Sequence, residues 1–173
     1  MHEDGNRCKE EKLVHLVEAY QGMLLRMCYV YLKDMEMAKD AVQETFLKAY
    51  KTLDSFRGEC SEKNWLIQIA VNTCRDMRRA SWFRHVDRRI VPEDLPHAAC
   101  DTDEYSDLYV MCDIMNLPPK LKEVILLHYW QEMRVTEIAQ ALGVAHSTVS
   151  NRLKHAQMLL HDVLDRRDLH ERK

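Results

Sequence analysis

Glycine and proline are scarce in this chain, four of each in 173 residues, and phenylalanine is scarcer at three. Long stretches are built from Leu, Met, Ala, Glu, Lys and Arg, which favour helix. Sustained period-2 alternation of β-branched residues is missing, and with it any case for a sheet. The fold class expected is all-α. Apolar runs stay well short of the roughly 18 residues a bilayer crossing needs. Met1-His2-Glu3-Asp4-Gly5 is polar and unlike a signal peptide, so a soluble, cytoplasmic protein is expected. The six cysteines have no CxxC spacing and read as reduced thiols, not a disulfide framework. His97, Cys100 and Cys112 are the nearest thing to a metal cluster, but their spacing matches no zinc module, so no metal is expected. Gly-rich phosphate loops and nucleophile–base spacings are also lacking. Asp76 and Glu44 make no convincing carboxylate pair, and His128 and His146 read as polar helix residues. Neither an enzyme nor a cofactor is expected.

The charge present is unevenly spread. Net charge is −3, yet residues 92–113 hold seven acids (Glu93, Asp94, Asp101, Asp103, Glu104, Asp107, Asp113) and no Lys or Arg. The remainder is therefore +4, densest over 75–89 with Arg75, Arg78, Arg79, Arg84, Arg88 and Arg89. Because screening limits charge effects to about 8–10 Å, such a local basic surface can bind phosphates in an acidic protein.

Apolar spacing of three and four predicts a helix over 10–32 (Leu13, Leu16, Val17, Tyr20, Leu24, Met27, Cys28, Tyr31) and a second over 35–53 (Ala38, Ala41, Val42, Phe46, Ala49, Tyr50, Leu53). Asp34 is placed to cap the second. A loop at 54–58 follows. Ser61 is the expected N-cap of a third helix burying Trp65, Leu66, Ile69, Ala70, Thr73 and Met77. From about Ile90 the pattern dissolves into acids, Pro92 and Pro96. The organisation expected is a helical domain over 1–90, a flexible linker over 91–104 and a second helical domain over 105–173. In that second domain, 105–116 is helical, and a new helix starts at Pro119 with a stripe of Leu121, Val124, Ile125, Leu127, His128 and Tyr129.

Residues 135–161 carry the sharpest signal. A short helix with Ile138, Ala139 and Leu142 ends at Gly143, where a sharp turn needs φ > 0. A second helix buries Val149, Leu153, Ala156 and Leu160, with Val149 plugging the angle between the two. This is a helix-turn-helix, whose second helix enters the major groove. Its other face carries His146, Ser147, Ser150, Asn151 and Lys154 for base edges, with Arg152, Lys154 and His155 for phosphates. An ordinary helical hairpin is the bland alternative, and the joint spacing of Ala139, Gly143 and Val149 argues against it.

Residues 117–164 resemble region 4 of bacterial sigma factors. Residues 34–46 resemble region 2.2. Phe56-Arg57-Gly58-Glu59, the run from Trp65 to Ala70, and Asn72-Thr73-Cys74-Arg75-Asp76 resemble regions 2.3 and 2.4. Both segments stand in the family's order, and the short linker is that of the extracytoplasmic-function (ECF) group. The resemblance implies promoter-specific transcription initiation with core RNA polymerase, docked through the β′ clamp helices and the β flap, and an anti-sigma factor as inhibitor. It implies core contact through Asp40, Gln43, Glu44 and Leu47. It implies −10 contact through Cys60, Ser61, Lys63, Asn72, Arg75, Arg78 and Arg79, and −35 contact through the helix-turn-helix face. The chain departs from the family at several points. Glu62 replaces an aromatic and Val71 an Arg. Ala145 and Ser147 replace Pro and Gly, and His155 and Gln157 replace basic residues. Arg134 replaces a capping Ser or Thr, leaving that helix without a side-chain acceptor at its start. Two rivals stand beside this reading: a helix-turn-helix regulator that does not contact polymerase, and a protein-interaction adaptor.

Overall fold

The computed structural model describes residues 2–80 and 105–171, and it divides the chain into two compact units, residues 1–86 and 87–173. The expected linker at 91–104, the arginines 84–89, and His97 and Cys100 lie outside the described residues. Among the described residues there is helix and no strand.

The first unit holds α1 (His2–Leu32), α2 (Met35–Thr52) and α3 (Glu62–Ala80), each packed on the other two. Helix α1 begins eight residues before the apolar stripe that announces it at residue 10. The chain leaves α1 through Lys33 at φ +61 and enters α2 at Asp34, whose carboxylate accepts the Met37 N–H at 2.9 Å. That is an N-cap satisfying one of the free donors of the first turn. On α2 the buried stripe is Ala38, Ala41, Val42, Phe46 and Ala49, and its small residues let α1 and α3 approach closely. The last expected residue of α2, Leu53, instead begins a 3-10 turn, Leu53–Ser55. Ser61 caps α3, its Oγ accepting the Asn64 N–H at 3.1 Å.

The core face of α3 is rotated from the one its sequence suggests. Leu66, Ile67, Ala70, Val71, Thr73 and Cys74 are buried, while Trp65, Ile69 and Met77 are half-exposed on the flank. A sequence pattern treats Ile67 and Ile69 as equal, but packing against two neighbours at once turns the Ile67 side inward and leaves Ile69 on the flank. Val71 is thus a core residue, so its departure from the family's Arg is a packing change. Cys28 and Cys74 are both fully buried, and their thiols are hydrogen-bonded to each other. That bond, with burial added, pushes the Cys74 thiol far above the ordinary thiol range.

The second unit holds α4 (Tyr105–Asn116), α5 (Pro119–Ile125), a π turn (Leu126–Trp130), α6 (Val135–Leu142) and α7 (His146–Glu171). Pro119 takes the first helical position of α5, where no N–H is needed. Leu121, Val124, Ile125 and Leu127 are buried as expected, but Tyr129 is exposed and His128 half-buried. The π turn is the cause. Gln131 N–H reaches back to Leu126 O at 3.1 Å, a widened turn that rotates the stripe by one residue. His128 Nδ1–H then donates to Met133 O at 3.0 Å. Lys122 is buried too, its ammonium donating to Met115 O at 2.8 Å and so holding the end of α4 against α5.

Candidate nucleic-acid and partner interfaces

Helices α6 and α7 form the tight pair that the spacing of Gly143 and Val149 demands. Gly143 adopts φ +64, and Val144 N–H closes on Ala139 O at 3.0 Å, a left-handed helix end. Val149 is fully buried between the two helices, with Leu153 and Ala156 below it; Leu160, expected inside, is half-buried. Arg134 has no acceptor in its side chain, but its own N–H is taken by the Glu137 carboxylate at 2.7 Å. One free donor at the start of α6 is therefore satisfied from within the helix, as in half of a capping box. Arg134 thus gives the first turn of α6 no side-chain cap, as expected, and Glu137 serves the N–H of Arg134 itself.

Packing Val149, Leu153 and Ala156 inward leaves the opposite face of α7 to water. His146, Ser147, Asn151, Lys154 and His155 are exposed, and Ser150 and Arg152 are partly so. Ser147, Ser150, Asn151 and Lys154 follow one another at intervals of three, one and three, a continuous ridge along the first two turns. Past that ridge Gln157 donates to the Tyr129 hydroxyl, and Met158 stands 65% exposed beside it in sequence.

In the first unit, Asn72, Arg78 and Arg79 on α3 are exposed and Arg75 half-exposed. Arg79 lies 3.9 Å from Asp76. Ser61 is exposed, Cys60 and Lys63 partly so, and Gly58 supplies φ +73 to the loop before them. The hydroxyl oxygen of Ser61 is already engaged in capping, which leaves its O–H to donate. Phe56 stacks on Trp65 with ring centroids 4.6 Å apart, so Trp65 fixes the loop from its half-buried flank position.

Asp40, Gln43, Glu44 and Leu47 form an exposed stripe on α2, with Leu47 49% open to solvent. Beside the stripe lies a groove of roughly 540 Å³ between α1 and α2, lined by Leu13, Leu25, Val42, Phe46, Leu47 and Tyr50. Sequence reasoning missed this groove because helical spacing assigned Leu13, Phe46 and Tyr50 wholly to the core. Lys48 joins the two faces of the unit: its ammonium is 3.8 Å from Glu44 and donates to Thr73 of α3 at 3.1 Å. Groups of three or more potential metal ligands are absent among the described residues.

Two family models match, Sigma-70 region 2 over residues 16–84 and Sigma-70 region 4 over residues 108–160. An RNA polymerase sigma-E factor of Streptomyces avermitilis is 31% identical over 90% of this chain and 87% of its own. The sigma factor SigV of Bacillus subtilis is 29% identical over 91% and 93%. Among solved structures, CnrH in complex with the cytosolic domain of CnrY superposes with a TM-score of 0.66 at 25% identity, covering 90% of this chain and 89% of that one. The sigma factor RpoE of Bartonella quintana, solved with the anti-sigma factor NepR, shares the fold at the same TM-score and 22% identity. A helical unit matching sigma region 2, followed by a helix-turn-helix unit matching region 4, is the architecture of a transcription initiation factor. The chain belongs to the sigma-70 family of RNA polymerase sigma factors, in its ECF group. That family is not one of enzymes.

Proposed function

We propose that this protein directs promoter-specific initiation by core RNA polymerase through three separate surfaces. The α2 stripe of Asp40, Gln43, Glu44 and Leu47 docks on the β′ clamp helices, and the second unit docks on the β flap. The α7 ridge reads the −35 element, with His146, Ser147, Ser150, Asn151 and Lys154 toward base edges and Arg152 and His155 toward phosphates. The loop of Cys60, Ser61 and Lys63 takes an extruded −10 base, while Asn72, Arg75, Arg78 and Arg79 hold the non-template strand. The protein works in the cytoplasm, carries out no catalysis of its own and needs no cofactor. No described helix is long and apolar enough to cross a membrane. Its regulator is an anti-sigma factor, a partner supported by CnrH having been solved with a second chain bound.

The observation that carries the reading is the α2 stripe. Acids flank an exposed leucine beside an open apolar groove, a surface suited to a basic amphipathic helix and one that a regulator acting on DNA alone does not require. Run-off transcription on genomic fragments with purified core polymerase is the test. Discrete, protein-dependent start sites are expected. Specific DNA binding without any such transcripts would favour the regulator that does not contact polymerase.

A further inference from the structure

The loop between α2 and α3 has nothing buried to hold it. Residues 54–61 are all exposed or half-exposed, and Gly58 gives the backbone freedom at its middle. Its two ends are nonetheless tied to one face of α1. Lys9 places its ammonium 2.5 Å from the Asp54 carboxylate, where α2 runs out, and 4.8 Å over the Tyr50 ring. Lys12, one turn later, sits 3.6 Å from the Glu62 carboxylate, where α3 begins, and 5.7 Å over the Phe56 ring. Phe56 in turn stacks on Trp65. The side chain of Lys9 is 17% exposed and that of Asp54 is 77% exposed, so the lysine is held against the protein while its partner faces water and salt.

We propose that Lys9 and Lys12 are positioning residues for promoter opening, clamping the 54–62 loop at both ends in the shape that receives the extruded base. The proposal rests on reading that loop as the −10 pocket. Without the two cations the loop keeps the Phe56–Trp65 stack and the Ser61 cap but loses the ties at its two ends, and a loosened loop must be ordered during melting itself. Lys12 has a second effect. It neutralises Glu62, so an acid can stand at the rim of the pocket without repelling the DNA backbone.

The test is a permanganate footprint time course at a promoter the wild-type protein uses, with core polymerase and the full chain. Lys9→Met with Lys12→Met should slow opening about three- to tenfold at low salt, while core binding and the melting temperature of the free protein hold steady. The deficit should shrink as salt rises, because the wild-type clamp is then screened as well. Lys9→Arg with Lys12→Arg should restore opening. Asp54→Asn with Glu62→Gln should slow opening in the same way but less, since the acid at the rim is gone as well, and combining it with the Met pair should add nothing to the Met defect. Normal opening by the double Met variant, when replacement of 60–63 by Gly abolishes opening, overturns the clamp and leaves the pocket standing. Normal opening after the Gly replacement removes the pocket and the clamp together. Additive defects overturn the clamp too, since the lysines would then act on DNA directly.

Discussion

The two units turn their chain in the same backbone conformation with different residues. Before α2 the left-handed position is Lys33 at φ +61; between α6 and α7 it is Gly143 at φ +64. The units also fill their interiors differently. The first is apolar and built from three long stripes, its only buried polar residues among those described being Thr45 and Thr73. The second buries Lys122, Glu123 and Gln131 among its leucines and bends its central helix through a π turn. The contrast of lysine with glycine belongs to these two turns and not to the units as wholes: the first unit also has Gly58 at φ +73, and the second places Glu132 at φ +58 just before α6.

The largest break expected in this comparison is Leu66→Ala. Leu66 is fully buried on α3, and the change should cost the first unit about 2–5 kcal/mol. Hydrogen exchange should show protection lost over α1 to α3 and kept over α5 to α7. Equal loss in both would mean the units do not fold independently. Asn151→Ala and Arg152→Ala bear on the second unit's task. The first should relax base preference at one −35 position by about 1–3 kcal/mol, the second should weaken binding to all sequences and flatten the salt slope. Binding titrations on a set of single-base variants at two salt concentrations separate these outcomes.

Lys122→Met probes the polar interior. Loss of the bond to Met115 O leaves that carbonyl unpaired, and a cost of about 1–3 kcal/mol in the second unit alone is expected by thermal or urea unfolding. The turns give a smaller, opposed pair. Gly143→Ala should destabilise by about 1 kcal/mol from backbone strain alone, since no atom lies within 4 Å of an added Cβ. Lys33→Gly should be neutral or stabilise by about 0.5 kcal/mol, strain relief being partly offset by unfolded-chain entropy. A loss at Lys33 as large as that at Gly143 would end the contrast. The smallest effect is chemical. Cys28 and Cys74 should resist alkylation in the native protein, being buried, mutually bonded and, for Cys74, held protonated, whereas half-buried Cys60 should react. Mass spectrometry after brief iodoacetamide treatment reads this directly.

Much of this was legible in the residues alone. Periodicity located the helices because amphipathic spacing is a local property, and Asp34, Ser61 and Gly143 marked ends because caps and left-handed turns depend on one side chain each. Asp40, Gln43, Glu44 and Leu47 could be placed together because i, i+3, i+4 and i+7 share a face in any helix. What stayed hidden depends on neighbours distant in sequence. The rotation of α3, which buries Val71 and leaves Trp65 on the flank, was decided by α1 and α2 together. The π turn that exposes Tyr129 arose from Gln131 reaching back to Leu126. The ties from Lys9 to Asp54 and from Lys12 to Glu62 span some fifty residues and follow no period. Local chemistry determined where the helices begin and end. Which side of each faces inward, and what stands beside the loop between α2 and α3, only the packing of the whole unit decided, because a close-packed interior selects by shape among residues a sequence pattern treats as equal.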